Sequence, residues 1–390
     1  MKLVKQIKRS LMTLNLKVLN RLPLRQIIVF ESQNDMDDNP RAVFDYMLEK
    51  GLDRDYLLVW IVKDVNRYRE AFPAKNVQFV DRSDASFSNQ LRLQYILSCA
   101  RWFVFSHPWW YHKRRKEQIV INTGHGIGLK GATDNPDIQE SFDFAIAPSP
   151  LSAEWTCKFW RMPEKKIVFL GAPRNDELFV RDKAAILKRM LPIQEGEKTV
   201  ICLPTYRQSR NQVDCRSVDR FCLSAVQTET DLRQLDQLLD ELRIHLLVKP
   251  HPLQLTEKLK QISLSHIHYI NDSVLLERDI RLYSLIGCCD AMLTDYSSAY
   301  FGYLLLNRPI GFLTRDHELY QRGFIIENPL DYMPGDRIDS FEDLVSFLRD
   351  LAAGKDAYDV QRQQLNEVYN GAFSDDTNCE AFVEWLCKLP

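Results

Sequence analysis

Long uninterrupted hydrophobic runs are absent from this 390-residue sequence. No stretch approaches the 18 or so apolar residues that cross a bilayer, and no apolar segment precedes a small-residue cleavage site, so we expect neither a membrane-spanning nor an exported protein. Strong net charge is also absent, because 51 basic and 53 acidic residues leave a net charge of -2. This balance argues against a protein that binds nucleic acid by bulk electrostatics, and any anion site must be built locally.

Paired cysteines and the common catalytic motifs are absent as well. The nine cysteines form no CxxC pair and include the adjacent Cys288 and Cys289, a poor layout for disulfides or a zinc site. No HExxH, GxSxG or GxxxxGK[ST] motif occurs. We therefore expect reduced thiols in a cytoplasmic protein and no metal or other cofactor.

The amino-terminal end is strongly basic. Seven basic residues precede the first acid, Glu31: Lys2, Lys5, Lys8, Arg9, Lys17, Arg21 and Arg25. Apolar residues recur there at steps of three or four: Leu3, Ile7, Leu11, Leu14, Val18 and Leu22. This spacing predicts a basic amphipathic helix over residues 1–25, suited to lie on the anionic inner face of a membrane. The alternative is a helix that packs on its own domain.

Short apolar runs alternate with helical patterns from residue 26 onward. The runs are Gln26–Phe30, Leu57–Val62, Trp102–Phe105, Gln118–Ile121, Phe144–Ala147, Ile167–Leu170, Thr199–Leu203, His245–Val248, Ala291–Leu293 and Ile310–Leu313. Continuous apolar strands separated by helices are typical of doubly wound parallel α/β sheets. Arg181–Lys198 separates two strand series, so we predict domains over 26–190 and 191–390, with the last helix a candidate to pack back on the first domain.

Polar clusters follow several of these strands, at the edge where α/β sheets bind ligands. One is Thr294-Asp295-Tyr296-Ser297-Ser298, which opens a helix whose amino terminus and hydroxyls favour a phosphate; the simpler reading is N-capping by Asp295 or Ser297. Another is His125, flanked by Gly124 and Gly126, which lets the imidazole stand in a cleft as a general base. A lone histidine is more often structural.

Other basic residues near strand ends are candidates for charged contacts. His251 lies between two prolines, and Arg174 and Arg207 could hold phosphate oxygens bidentately, although a surface arginine is the simpler explanation. His107 precedes an aromatic and basic segment, Pro108–His112, for which packing at a domain edge outweighs binding of a lipid-linked acceptor.

In combination, these motifs resemble the CDP-glycerol glycerophosphotransferase family of teichoic-acid primases and polymerases. The matching segments are His125-Gly126 with Lys130, Gly171–Asp176, Pro204–Arg207, His251-Pro252 and Thr294–Ser298, and further similarity runs from Asn39-Pro40 to Arg308-Pro309, Tyr320, Arg322-Gly323 and Pro334-Gly335. The resemblance thus covers most of the chain.

This resemblance implies a GT-B architecture, with an acceptor-side domain first and a CDP-polyol-binding domain second. It implies transfer of a polyol phosphate, glycerol phosphate above all, from a CDP-polyol to a hydroxyl of a lipid-linked acceptor, with release of CMP. His125 and His251 correspond to the catalytic histidines, and His125 to the proposed base. The expected donor-binding residues are Thr205, Arg207, Thr294, Asp295, Ser297 and Ser298. Further candidate cleft residues are Gly126, Lys130, Arg174, Asp176 and Arg322.

The sequence departs from the family pattern at two places. Gly124-His125-Gly126-Ile127-Gly128-Leu129-Lys130 stands where Trp-His-Gly-Thr-Pro-Leu-Lys is usual, and Asn370-Gly371 stands where Asp-Gly is usual, with no basic match around Asn378. The sequence therefore does not decide whether the transferred polyol is glycerol, ribitol or another alcohol. It also does not decide whether the protein forms homo-oligomers. Two alternatives also remain: a GT-B glycosyltransferase that uses a CMP- or UDP-sugar, and a non-catalytic nucleotide-binding partner of a capsule or wall assembly complex.

Overall fold

Two parallel β-sheets with flanking helices form the core of the protein, which confirms the predicted α/β class. The computed structural model describes residues 18–107, 115–131, 141–205, 221–250, 262–315, 317 and 323–390. Every strand pair recorded between neighbours is parallel. The carboxyl ends of each sheet's strands therefore meet at one edge.

The first sheet has the strand order β3-β2-β1-β4-β5-β6-β7. Its strands are β1 (Arg25–Glu31), β2 (Leu57–Val62), β3 (Val77–Asp81), β4 (Ala100–Phe105), β5 (Ile119–Asn122), β6 (Phe144–Ala147) and β7 (Ile167–Phe169). The second sheet has the order β10-β9-β8-β11-β12-β13. Its strands are β8 (Lys198–Leu203), β9 (Ile244–Val248), β10 (Ile267–Tyr269), β11 (Ala291–Thr294), β12 (Ile310–Leu313) and β13 (Asp336–Ile338).

Helices cover the faces of both sheets. In the described ranges they are α1 (Asp38–Glu49), α2 (Val65–Ala71), α3 (Phe87–Cys99), α4 (Pro150–Trp160), α5 (Lys183–Met190), α6 (Glu229–Leu242), α7 (Asp272–Glu277), α8 (Leu282–Cys288), α9 (Ala299–Tyr303), α10 (Phe341–Ala352), α11 (Asp359–Tyr369) and α12 (Asn378–Cys387). A 3-10 turn, Pro173–Leu178, follows β7. Leu232, Leu235 and Leu239 of α6 are all buried, as their helical spacing predicts.

The last helix, α12, packs on the first sheet, although it follows the second sheet in the sequence. Phe382, Val383 and Leu386 of α12 are buried in one apolar cluster with Phe30 of β1 and Trp60 of β2. The chain therefore crosses between the two halves twice, once between β7 and β8 and again after α11.

The amino-terminal helix can be compared only in part with its prediction, because residues 1–17 lie outside the described part of the chain. Val18 and Leu22, two residues of its apolar stripe, are exposed. Among the described residues, no helix is both long enough and apolar enough to cross a membrane. The eight cysteines in the described ranges are free thiols.

Candidate active site

The loop after β5 presents His125 between two glycines with left-handed backbone. Gly124 has a φ of 63° and Gly126 a φ of 95°, a region that side-chain-bearing residues rarely adopt. The backbone N–H of Gly124 donates to Oδ1 of Asn122 at 2.8 Å, which closes the turn. The two glycines thus allow the sharp loop that the sequence predicts, and they leave the His125 side chain exposed.

The environment of His125 favours its neutral form with a free Nε2. Its Nδ1 lies 3.0 Å from the carbonyl oxygen of Ser106 at the end of β4. Because a carbonyl oxygen only accepts, Nδ1 carries the proton and Nε2 keeps its lone pair. Although His125 is accessible to solvent on one side, the protein around it desolvates the ring and lowers its pKa below the ordinary value of 6.5, and the negative charge of Asp38 opposes this shift. The ring can therefore accept a proton at neutral pH.

Asn39, a residue that the sequence did not assign to the site, fixes the His125 loop to the turn after β7. Its Nδ2 donates to the carbonyl oxygens of Thr123 and Gly124 at 3.0 and 2.9 Å. Its Oδ1 accepts the backbone N–H of Arg174 at 3.1 Å. Asn39 is 1% exposed, so these bonds are protected from water. One side chain at the start of α1 thereby sets the distance between the two loops.

Arg174 is buried beside the His125 loop and is paired. Its Nη1 donates to Oδ1 of Asp38 at 2.5 Å, and its guanidinium lies 4.5 Å from the ring centroid of Tyr283. Asp38 has a φ of 64°, and Asp tolerates this left-handed conformation better than most residues. A surface arginine, the simpler alternative from sequence, is therefore ruled out for Arg174.

Residues from both halves of the chain meet at Gly126. A Cβ placed on Gly126 would lie 2.5 Å from Oγ of Ser298 and 2.6 Å from Nη2 of Arg174. Ser298 lies directly before α9 of the second half, while Arg174 belongs to the turn after β7. The structure thus brings together three of the predicted cleft residues, and only a glycine at position 126 permits their approach.

Three predicted donor-binding residues use their side chains to join strand ends. Oδ2 of Asp295 accepts the backbone N–H and the hydroxyl of Thr205 at 2.9 and 2.8 Å. The hydroxyl of Thr294 donates to the carbonyl oxygen of Leu203 at 2.9 Å. Asp295 and Thr294 are buried, so they tie the end of β8 to the end of β11. Ser297 and Ser298 are partly exposed beside them.

Asp176 and Lys130 occupy positions that connect parts of the fold. The Asp176 carboxylate accepts the backbone N–H groups of Asn378 and Cys379 at 3.0 and 2.7 Å and the Asn378 amide at 2.7 Å, which caps α12. Lys130 forms an antiparallel bridge with Phe324 of the second half. Asp176 thus serves as a helix cap, a role that its sequence neighbours do not reveal.

Several predicted residues cannot be placed, because His251, Arg207 and Arg322 lie outside the described residues. His107 is described and fits the structural interpretation. Burial, together with a smaller effect of the nearby His125, lowers the pKa of His107 to about 4, so the ring is neutral at pH 7. Its ring stands edge-on to Phe105 at a centroid distance of 6.5 Å.

A second histidine cluster, which the sequence did not indicate, lies at the amino-terminal ends of the strands of the second sheet, opposite the candidate site. Ligand atoms of Glu197, His245 and His266 lie within 4.8 Å of one another. The rings of His245 and His266 stack at a centroid distance of 4.7 Å and an interplanar angle of 19°. A single ion cannot lie in the planes of two stacked rings, so we describe this cluster as a hydrogen-bonded group rather than a metal centre.

Relatives that act in teichoic acid synthesis match this sequence along most of its length. A teichoic acid poly(glycerol phosphate) polymerase of Bacillus spizizenii is 28% identical over 344 residues, covering 79% of each chain. A teichoic acid glycerol-phosphate transferase of Staphylococcus aureus is 27% identical over 383 residues, covering 89% of each chain.

A solved structure establishes the fold. The structure of the wall teichoic acid polymerase TagF superposes with a TM-score of 0.74 at 21% sequence identity, covering 99% of this chain and 95% of the other. The family model described as CDP-Glycerol:Poly(glycerophosphate) glycerophosphotransferase matches residues 14–388. The chain therefore belongs to the CDP-glycerol:poly(glycerophosphate) glycerophosphotransferase family.

Proposed function

We propose that this protein transfers a polyol phosphate, glycerol phosphate above all, from a CDP-polyol to a hydroxyl of a lipid-linked acceptor and releases CMP. The product would extend or prime a teichoic-acid-like polymer of the cell wall or capsule. Family membership and the printed activities of the relatives support the reaction class. No metal or other cofactor is part of the proposal.

The geometry of His125 is the observation that carries this proposal. Its Nδ1–H is bound to the Ser106 carbonyl, which leaves Nε2 as the proton acceptor in an exposed ring. An acceptor alcohol would lose its proton to Nε2 while its oxygen attacks the β-phosphorus of the donor. The bond from that phosphorus to the bridging oxygen would break in line, and CMP would leave.

Stabilisation of the pyrophosphate charge would come from groups of the second half. Ser297 and Ser298 are partly exposed where β11 meets α9, and their hydroxyls could donate to phosphate oxygens. Thr205 is held at the end of the adjacent strand β8 by its hydrogen bonds to Asp295, at the end of β11. His251 and Arg207 would supply positive charge to the leaving CMP. Such donors act mainly by electrostatic stabilisation, which dominates phosphoryl transfer.

A panel of nucleotide donors tests the proposed reaction. Purified protein would be incubated with acceptor-bearing membranes and CDP-glycerol, CDP-ribitol, a CMP-sugar or a UDP-sugar, and the released nucleotide would be measured. We expect CMP release with a CDP-polyol alone. Turnover with a sugar donor would instead indicate a glycosyltransferase, and binding of CDP-glycerol without turnover would indicate a non-catalytic partner.

The basic amino-terminal segment supports a peripheral location on the inner face of the membrane. Seven positive charges precede Glu31, and each can contribute about 1 kcal/mol beside an anionic leaflet. We expect deletion of residues 1–24 to release the protein from membrane pellets, as measured by sedimentation. High salt should weaken pelleting of the full chain. Unchanged pelleting of the deletion variant would contradict membrane association by this segment.

A further inference from the structure

The loop that carries His125 continues into a short ladder with the second half of the chain. The backbone N–H of Gly131 donates to the carbonyl oxygen of Gly323 at 2.8 Å, and the N–H of Ile325 donates to the carbonyl oxygen of Leu129 at 2.9 Å. The residues directly before His125 are held by the first half, as described above. His125 therefore lies between a part of the loop that the first half holds and a part that the second half holds.

Tyr369 of the second half bonds this loop only two residues beyond His125. Its hydroxyl donates to the carbonyl oxygen of Ile127 at 2.6 Å. Tyr369 is 8% exposed, so the bond is largely protected from competition with water. The bond limits the positions that Ile127 can take, and with them the positions of the two peptide units that lead back to His125.

Packing around Tyr369 fixes its ring independently of this bond. The ring stacks on that of Phe301 in α9 at a centroid distance of 4.1 Å and an interplanar angle of 24°. It also lies 5.6 Å from the ring of Trp155, and the Tyr369 carbonyl oxygen accepts the hydroxyl of Ser149 at 2.7 Å. The Tyr369 hydroxyl is thus presented to the loop by a rigid, well-packed side chain.

The ring of Tyr369 also contacts the helix that follows the candidate phosphate-binding serines. Phe301 lies in the first turn of α9, where its backbone N–H donates to the carbonyl oxygen of Ser298 at 3.3 Å. A Cβ placed on Gly128 would lie 3.0 Å from Cα of Ser298, so the His125 loop passes directly over the start of this helix. One phenol side chain therefore contacts both the loop of the candidate base and the element that carries Ser298.

We propose that Tyr369 is a positioning residue that, through its bond to Ile127, sets the distance between Nε2 of His125 and the phosphate of the donor. This inference rests on the proposed polyol-phosphate transfer and adds a residue to its machinery. A displacement of about 1 Å between reacting groups can cost about 100-fold in rate. A bond that holds the loop in place should thus act on kcat rather than on substrate binding.

Kinetics of a conservative variant test the proposal. Tyr369→Phe removes the hydroxyl and keeps the ring, so we expect kcat for CMP release to fall about tenfold while the KM for CDP-glycerol stays within about twofold of the native value. Tyr303→Phe is the matched control, because its buried hydroxyl donates to the carbonyl oxygen of Cys289 at 2.8 Å, at the opposite, amino-terminal end of β11. It should change neither constant. An unchanged kcat in Tyr369→Phe, or a change in KM alone, would overturn the proposal.

A double-mutant cycle separates positioning of the base from a general structural role. If Tyr369 acts through His125, Tyr369→Phe should alter the residual turnover of His125→Ala by less than about twofold. A structural role would lower turnover by the same factor in both backgrounds, and that result would contradict the proposal.

A spectroscopic measurement tests the position of His125 without any turnover. In NMR spectra of histidine-labelled protein, the imidazole signal that is missing from His125→Ala should shift in Tyr369→Phe and stay in place in Tyr303→Phe. An unshifted signal in Tyr369→Phe would refute the coupling. If Tyr369→Phe lowers the thermal midpoint strongly, Phe301→Leu, which removes the stacked ring, decides by the same cycle and the same signal. Failure of the native chain to release CMP would refute the reaction, whereas the NMR comparison would still test the role of Tyr369.

Discussion

His125 is the residue on which the proposed chemistry depends most. Replacement by Ala removes the only proton acceptor assigned to the acceptor alcohol, so we expect turnover to fall by roughly 10²–10⁴. CMP release from CDP-glycerol measures this loss, and thermal denaturation verifies the fold. His266→Ala is the matched control, because His266 lies at the opposite edge of the second sheet. Near-normal turnover by the folded His125→Ala protein would exclude His125 as the base.

The pH dependence of turnover should report the lowered pKa of His125. Because desolvation lowers this pKa below its ordinary value of 6.5 and the base must be unprotonated, the midpoint of the acid limb of kcat/KM should lie below pH 6.5. The positive charge of Lys130 lowers the same pKa, so Lys130→Met should move the acid limb to higher pH. Lys355→Met, an exposed change of equal charge, should leave the profile in place. A shift to lower pH in Lys130→Met would contradict the assignment.

Sequence patterns could predict His125 but not Asn39. The glycines beside His125 are its neighbours along the chain, and their spacing already predicts an open loop. Asn39 acts through Thr123, Gly124 and Arg174, which are 84, 85 and 135 residues away. Such contacts arise only when the sheet brings the strand ends together, so a single sequence carries no local signal for them.

At the scale of elements, the ten predicted apolar runs all correspond to strands, with ends shifted by no more than two residues. Three strands, β3, β10 and β13, are not among these ten runs, and each forms an edge of its sheet. An edge strand pairs on one side only and tolerates polar residues, as in Asp336-Arg337-Ile338 of β13. Without a continuous apolar run, these strands lack the signal that identified the others.

The cap of α12 by Asp176 leads to a prediction about stability rather than catalysis. Asp176→Ala leaves the N–H groups of Asn378 and Cys379 without their acceptor, so we expect a loss of about 2 kcal/mol in the free energy of unfolding. Urea denaturation measures it. Asp231→Ala, which removes an exposed capping-box carboxylate from α6, should cost less. A stably folded Asp176→Ala protein that had lost turnover would instead indicate that Asp176 acts in the cleft.

Asn370 illustrates how an element explains a departure from the family pattern. Its Nδ2 donates to the carbonyl oxygen of Phe301 at 2.8 Å and also bonds Asn366. An aspartate, the usual residue in the family, could not donate to that carbonyl. The asparagine therefore serves the junction between α11 and α9, a role that could not be read from the motif alone.

For the whole molecule, the two strand series predict two sheets, with the last helix a candidate to pack back on the first domain, and the structure buries Phe382, Val383 and Leu386 of that helix against the first sheet. Removing residues 376–390 would uncover the partners of Phe382, Val383 and Leu386, side chains that each stabilise by about 1.5–3 kcal/mol when buried. Their sum approaches the total stability of a typical domain. We therefore expect the shortened chain to be insoluble, as measured by centrifugation, whereas a chain lacking only residues 389–390 should remain in solution. Full solubility and native thermal stability of the 376–390 deletion would contradict this expectation.

The position of α12 also bears on the order in which the protein matures during synthesis. Translation delivers the first sheet early, but the apolar face that receives Phe382 and Leu386 stays uncovered until α12 has been synthesised, after the whole second sheet. Until then, this hydrophobic face of the amino-terminal half remains exposed to solvent and accessible to chaperones while the second half is synthesised. A chain that stops before α12 would thus lack part of the first core as well as part of the second half, so synthesis of α12 is the step that completes the first half.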